Sequence, residues 1–198
     1  MAESQKLPRA ATHNGAAWRS EASLGSVPVA IASPERNPNV CEIPCMSPGS
    51  HWLIRLDLEP LTCFEVVDRQ FERWGMTFAN AIAIQPSNPA FAPQTGSTVL
   101  MGAPKGGFLE IQFHRPACLV SAKVTSFRRP TLTAYDRSGA CITQIEGNIP
   151  SDGDRPTGAE TCPQSPKLLL SANIPNIHRI TLHAFGGQLT VDELTVRF

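Results

Sequence analysis

The chain has 198 residues with 17 basic and 17 acidic side chains, so it offers no net charge to hold a nucleic acid or an anionic membrane. Charged residues are 17%, against roughly 25% in ordinary globular chains, and 18 prolines with 14 glycines break up any long helical run. Such a length permits one large domain with a tail and leaves two equal domains cramped. Short strands separated by many turns are the expectation.

Residues 1–50 are rich in Ala, Ser, Pro, Asn and Gly, with Pro8, Pro28, Pro34, Pro38, Pro44 and Pro48 opposing helix and central strand alike. This predicts a flexible or loosely docked tail, interrupted by the apolar patch Val27 to Ala32, which suits an edge strand. No apolar core follows a basic start, so no export signal is evident. No run of about 18 apolar residues exists to span a membrane. As encoded, the chain is expected to be soluble and cytoplasmic.

A domain over 51–198 opens with alternation in Trp52 to Leu58, followed by Cys63 to Val67. Residues 68–75 suit one helical turn or a loop, and Gly75 to Ile84 reads as a single strand. Gln85 to Thr98 carries three prolines and is the longest ordered loop expected. Strands are then predicted over 108–114, 118–127, 131–137 and 140–146, the last two joined by Asp136-Arg137-Ser138-Gly139, in which Asp caps and Gly takes positive φ. A second loop, 147–166, precedes a strand at 167–171. Ile177 to Phe198 reads as a closing hairpin around Gly186-Gly187. About ten strands with almost no helix predict an all-β, antiparallel two-sheet β-sandwich of jelly-roll type.

The stretches FEVVDRQFERWGMTF (64–78), FLEIQFHRP (108–116), LTAYDRSG (132–139) and IHRITLHAFGGQLTVDELTVRF (177–198) carry a resemblance. In that order they resemble the galactose-binding-like jelly rolls of bacterial exosortase-sorted (PEP-CTERM type) surface proteins. The resemblance implies a β-sandwich at the cell surface or outside the cell. It also implies a structural Ca²⁺ held near the chain ends by carboxylate and backbone oxygens. Members usually carry an export signal and often a sorting tail. Neither is evident in this chain, which ends at Phe198.

Asp192 shares the parity of Leu194, Val196 and Phe198, and a carboxylate on a core face must be paired, hydrogen-bonded or metal-bound. It either caps backbone amides at a strand end or joins Glu65, Asp68 and Glu193 around Ca²⁺, should the first and last strands be neighbours. No other cofactor is expected. Of the six cysteines, Cys118 and Cys141 fit buried free thiols. Cys41 and Cys45 allow a bridge, but this close pair has no second one, and Cys63, Cys118, Cys141 and Cys162 stand apart in different elements, which disfavours a zinc site.

His178 falls with Ile180 and Leu182 and reads as a core histidine, whereas His114 and His183 point outward. The segment 101–107 lacks the spacing of a phosphate cradle, and no nucleophile elbow is present. Trp74 is expected in the core. Phe91, Gln94, Lys105 and Tyr135 are the candidate ligand-binding residues, with Phe91 expected exposed in its loop.

The function that follows is a non-catalytic module binding a glycan or a protein partner through the 85–107 and 147–166 loops, and not an enzyme. The alternatives are an assembly subunit whose N-terminal tail docks on a protein complex, and a carbohydrate-active enzyme whose site is not recognisable in the sequence.

Overall fold

The computed structural model describes residues 27–35, 52–102, 107–149 and 165–198. Alternating apolar side chains along these segments build two packed sheets. The large one contains β1 (Val29–Ala32), β2 (Leu53–Leu56), β3 (Val66–Val67), β5 (Ala81–Ile84), β6 (Val99–Gly102), β8 (Leu119–Ser126), β11 (Lys167–Ala172) and β13 (Leu189–Arg197). The small one contains β4 (Met76–Ala79), β7 (Phe108–Ala117), β9 (Pro130–Tyr135), β10 (Cys141–Glu146) and β12 (Ile177–Ala184), in the order β10-β9-β12-β7-β4. The fold is the expected all-β sandwich.

Its core is the set of side chains that the two sheets turn toward each other. Ile54, Val120, Ala122, Val124, Leu194 and Val196 of the large sheet are fully buried, as are Leu109, Ile111, Leu132, Ile180 and Leu182 of the small one. Full burial of each such Leu, Ile or Val contributes about 1.5–3 kcal/mol. Phe71 and Phe78 meet at one side of this layer with ring centroids 5.6 Å apart. The β9–β10 hairpin forms as expected. Asp136 Oδ1 accepts from the Ser138 and Ala140 N–H groups at 2.8 and 3.0 Å, and Gly139 sits at φ 84.

The closing segment is not a hairpin. β12 pairs with β7 and β9, and β13 pairs with β2, β6 and β8, so the 185–188 turn carries the chain from one sheet to the other. Period-two alternation reports which way a side chain faces, and leaves the strand's neighbours open. Gly75 to Ile84 likewise divides into β4 and β5, in different sheets. Asn80 at the corner adopts φ 57, a left-handed conformation that its short amide side chain tolerates. His178 is half-buried and Ile177 takes the core position, because a register shift between Ile177 and Arg179 reverses the alternation there.

The apolar patch in the N-terminal region docks as expected for an edge strand. β1 runs parallel to β2, with Leu53 N–H donating to Pro28 O at 3.0 Å and Asp57 N–H to Ala32 O at 2.8 Å. Beyond it, Trp74 Nε1 donates to Ser33 O at 3.2 Å, Glu35 N–H to Gln70 O at 2.7 Å, and Arg73 pairs with Glu35. Trp74 therefore packs beside the core with its N–H used to hold the strand.

Only Ala32 of β1 is fully buried, so an Ala32→Lys substitution is expected to detach this strand alone. Hydrogen exchange should show protection lost at the Leu53 and Asp57 amides and kept at Ile180 and Leu182. Unchanged protection at Leu53 and Asp57 would contradict the docking.

Candidate binding cleft

β13 has β8 along one side for its whole length, from Leu189 to Arg197. Its other side is shared, with β6 pairing at Thr190 and Val191 and β2 pairing from Thr195 to Arg197. Between them, among the described residues, no strand pairs with Asp192, Glu193 and Leu194 on that side. The register against β8 also slips here, from Val191 opposite Val124 to Glu193 opposite Lys123, which leaves Asp192 as the extra residue of a β-bulge. A cleft of about 360 Å³ opens at this gap, lined among others by Arg55, Asp57, Glu59, Thr98, Asp192 and Glu193.

The bulge decides where Asp192 points. Parity with Leu194 would turn it into the core. Instead its Oδ2 accepts from Thr125 Oγ1 at 3.2 Å and its Oδ1 from the Gln94 N–H at 3.1 Å. Thr125 alternates with the core residue Val124, so Asp192 lies on the outer face of the large sheet and is buried there by the 88–98 loop. Burial raises its pKa above the ordinary value, against the hydrogen bonds from Gln94 and Thr125 and the field of Lys167, which lower it.

A second carboxylate holds the other end of that loop. Glu59 Oε1 accepts from the Ser97 and Thr98 N–H groups at 2.8 and 3.0 Å, and Oε2 accepts from Ser97 Oγ at 2.8 Å. The backbone donors of Ser97 and Thr98 lower its pKa. Gly96, at φ 66, makes the approach possible, since a Cβ there would stand 2.1 Å from Glu59 Oε1. Within the loop, Asn88 Oδ1 accepts from the Ala90 N–H at 3.0 Å above a short 3₁₀ turn, Pro89–Phe91. Ser165 N–H donates to Ala90 O at 3.0 Å.

The residues expected to bind ligand are dispersed. Phe91 is buried, edge-on to Phe127 with centroids 5.3 Å apart, so the exposure expected for it is corrected: its ring anchors the loop. Gln94 is exposed and gives its backbone N–H to Asp192. Lys105 lies outside the described residues, as does most of the 147–166 loop.

Tyr135 stands on the outer face of the small sheet, away from this cleft. The Arg179 guanidinium lies 4.0 Å over its ring, and Arg179 pairs with Glu110 at 2.9 Å. Gln112 donates to the same Glu110 at 2.9 Å.

The four carboxylates expected around a metal do not assemble as a set. β3, which Glu65 and Asp68 flank, lies at the edge of the large sheet with β5 and β6 between it and β13, so the neighbourhood that the metal required is absent. Glu65 accepts from the Thr62 N–H at 2.7 Å and from Gln70 Nε2 at 3.0 Å, and Glu193 pairs with Lys123 at 3.0 Å. Among the described residues no group of three or more His, Cys, Asp and Glu is placed to hold a metal ion. Cys63, Cys118 and Cys141 are free thiols. Cys141 is exposed, against the burial expected of it, because the β9–β10 register shift beside it falls at a sheet edge. Cys41, Cys45 and Cys162 lie outside the described residues.

Sequence reasoning singled out Asp192 and Glu193 and missed Arg55, Asp57, Glu59 and Thr98. Glu59 and Ser97 are 38 residues apart, and no local pattern announces their contact. Gly96 was the one available signal, as a glycine inside a polar loop that a second chain segment approaches closely.

No family model matches the sequence, and no curated protein matches it. Among solved structures the chain is similar to the enzymatically active domain of tailspike protein 4 from bacteriophage CBA120. The identity is 12% and the TM-score 0.29, over 73% of this chain and 24% of that one, so this chain spans about a quarter of the tailspike domain's length. No helix among the described residues is long and apolar enough to cross a membrane.

Asp192→Ala, which leaves the Gln94 N–H without an acceptor, is expected to cost about 1–3 kcal/mol, whereas Asp192→Asn should be neutral or stabilising at pH 7. Asp192 has its pKa raised on folding, so its contribution to stability falls as pH rises from 3.8 through the folded value. Glu59 has its pKa lowered, so its contribution is present above 4.5 and is lost as pH falls through the folded value. Urea titrations of Glu59→Gln should therefore show a loss at pH 7 that shrinks as the pH is taken progressively below 4.5. A loss that stays constant over that descent would contradict the clamp.

Proposed function

We propose that the chain is a non-catalytic binding module that receives a protein partner in the cleft between β2 and β6. One observation carries this: the loop forming the cleft wall is held by the Asp192 carboxylate on β13 and by the Glu59 carboxylate in the turn after β2, so the recognition surface exists before a ligand arrives. Preorganisation of this kind lowers the entropy lost on binding. A cleft of about 360 Å³ also falls within the roughly 300–1,000 Å³ range of ligand sites.

Among the described residues its lining contains no aromatic ring on which a sugar face could stack, which favours a protein partner over a glycan. The glycan reading has support elsewhere, on the outer face of the small sheet. There Tyr135, Arg179, Glu110 and Gln112 form a connected polar surface beside an aromatic ring.

Cross-linking mass spectrometry on the intact chain distinguishes the two surfaces. Partner cross-links should be lost in the double variant Arg55→Ala/Asp57→Ala and kept in Tyr135→Ala. A glycan-array signal abolished by Tyr135→Ala and indifferent to the double variant would transfer the function to the small sheet.

A further inference from the structure

We propose that a second copy of this chain docks face to face on the outer surface of the large sheet where β3, β5 and β6 form it, with Phe64, Val66 and Ile82 at the centre of the contact. This goes beyond the cleft, which lies between β2 and β6.

β5 is Ala81-Ile82-Ala83-Ile84, apolar on both faces, whereas a strand with water on one face alternates apolar and polar residues. Its alanines are buried in the core. Its half-buried isoleucines stand on the outer face, Ile82 in register with Val66 of β3 and with Met101 of β6. Val66 is 65% exposed and Phe64 beside it 78%. These three strands carry the residue pattern of a sheet that is covered on both sides.

Phe64 supplies an independent observation. Its backbone has φ 67, a left-handed conformation rare for a bulky residue, and its N–H donates to Ala83 O at 2.7 Å. The free protein carries this strain while leaving the ring in solvent. A partner that covers the ring recovers its apolar area.

Two features decide how the partner docks and what it is. The β3 edge is closed to strand addition by the Gln70 side chain, which donates to Val66 O at 2.8 Å and accepts from the Asp68 N–H at 2.7 Å. The contact is therefore made by the face. The 30 residues 75–104 contain no Asp, Glu, Lys, Arg or His, where the chain's 17% of charged residues would place about five. Five apolar side chains fall short of the roughly 800 Å² per partner of a specific interface, and the exposed side of the uncharged 85–98 loop beside them extends the surface. At a two-fold axis each side chain meets its own copy, so a charge there would face a like charge. An uncharged surface meets that condition and gives a charged foreign partner nothing to select. With a formal net charge of zero, two copies also approach without repulsion.

Sedimentation of the full chain from about 1 to 200 µM tests this, in reductant so that the exposed Cys141 cannot bridge two copies. The mass should rise reversibly from 21.4 kDa toward twice that value, and added salt should not weaken the dimer, since no charge pair holds it. Val66→Glu should weaken dimerisation by about tenfold or more. Phe64→Asn should do the same while raising Tm at the monomeric end of the range, because asparagine tolerates the left-handed backbone. Phe185→Ser, which removes a ring 85% exposed elsewhere, and Arg55→Ala/Asp57→Ala in the cleft should leave dimerisation unchanged.

A monomer throughout the range would overturn the second copy as partner, as would a dimer that survives both Val66→Glu and Phe64→Asn or that dissociates in salt. A Tm lowered by Phe64→Asn would overturn the role given to the strained ring. A monomeric chain that retains a different protein, lost in Phe64→Asn, would assign the face to a foreign partner and overturn self-association.

Discussion

A β-strand can have one neighbour on each side at any point along its length, and β13 has two candidates for one of its sides. β6 takes the first part and β2 the last. Among the described residues, those between them are left with an open edge, and the chain relieves the mismatch by inserting one extra residue, Asp192, as a bulge. The cleft, the outward turn of the carboxylate and the anchoring of the 88–98 loop all follow from this sharing of one strand. The loop completes the arrangement by burying Thr125, Thr190 and Asp192 on a sheet face that would otherwise be wet.

Two carboxylates in this region meet opposite environments. Asp192 is desolvated under the loop, whereas Glu59 remains near solvent and collects three donors from Ser97 and Thr98. One pays desolvation to position the loop and the other is stabilised by positioning it. The loop is thus fixed at Gln94 by the first and at Ser97 and Thr98 by the second, with Thr95 and Gly96 facing the cleft between those two anchors.

Much of the architecture was legible because facing direction is written locally. Val120, Ala122 and Val124, or Ile180 and Leu182, declare a core face by spacing alone, and the Asp136 to Gly139 turn declares its hairpin by residue type. Pairing was not legible where two arrangements share one pattern. Ile177 to Phe198 alternates identically whether it folds back on itself or crosses between sheets, and only the partners of β12 and β13 decide. Asn80 gave the crossing from β4 to β5 no stronger mark than any polar residue in a strand.

The candidate site was legible at one residue and for a different reason. Asp192 was singled out by a parity that placed it in the core; the bulge cancels that parity and makes it a loop anchor, in keeping with the backbone-capping alternative. Its partners come from 98 and 67 residues away in sequence, a range at which composition and period say nothing. Phe91 shows the same limit, since a ring in a proline-rich loop reads as exposed until Phe127 is seen to cover it.

Site-specific ¹³C titration of the Asp192 and Glu59 side-chain carboxyls tests the shared-strand origin of the cleft most directly. Asp192 should titrate above the ordinary aspartate value and Glu59 below the ordinary glutamate value in the same sample. Ordinary values for both would mean that neither carboxylate holds the loop, and that the cleft is not preformed.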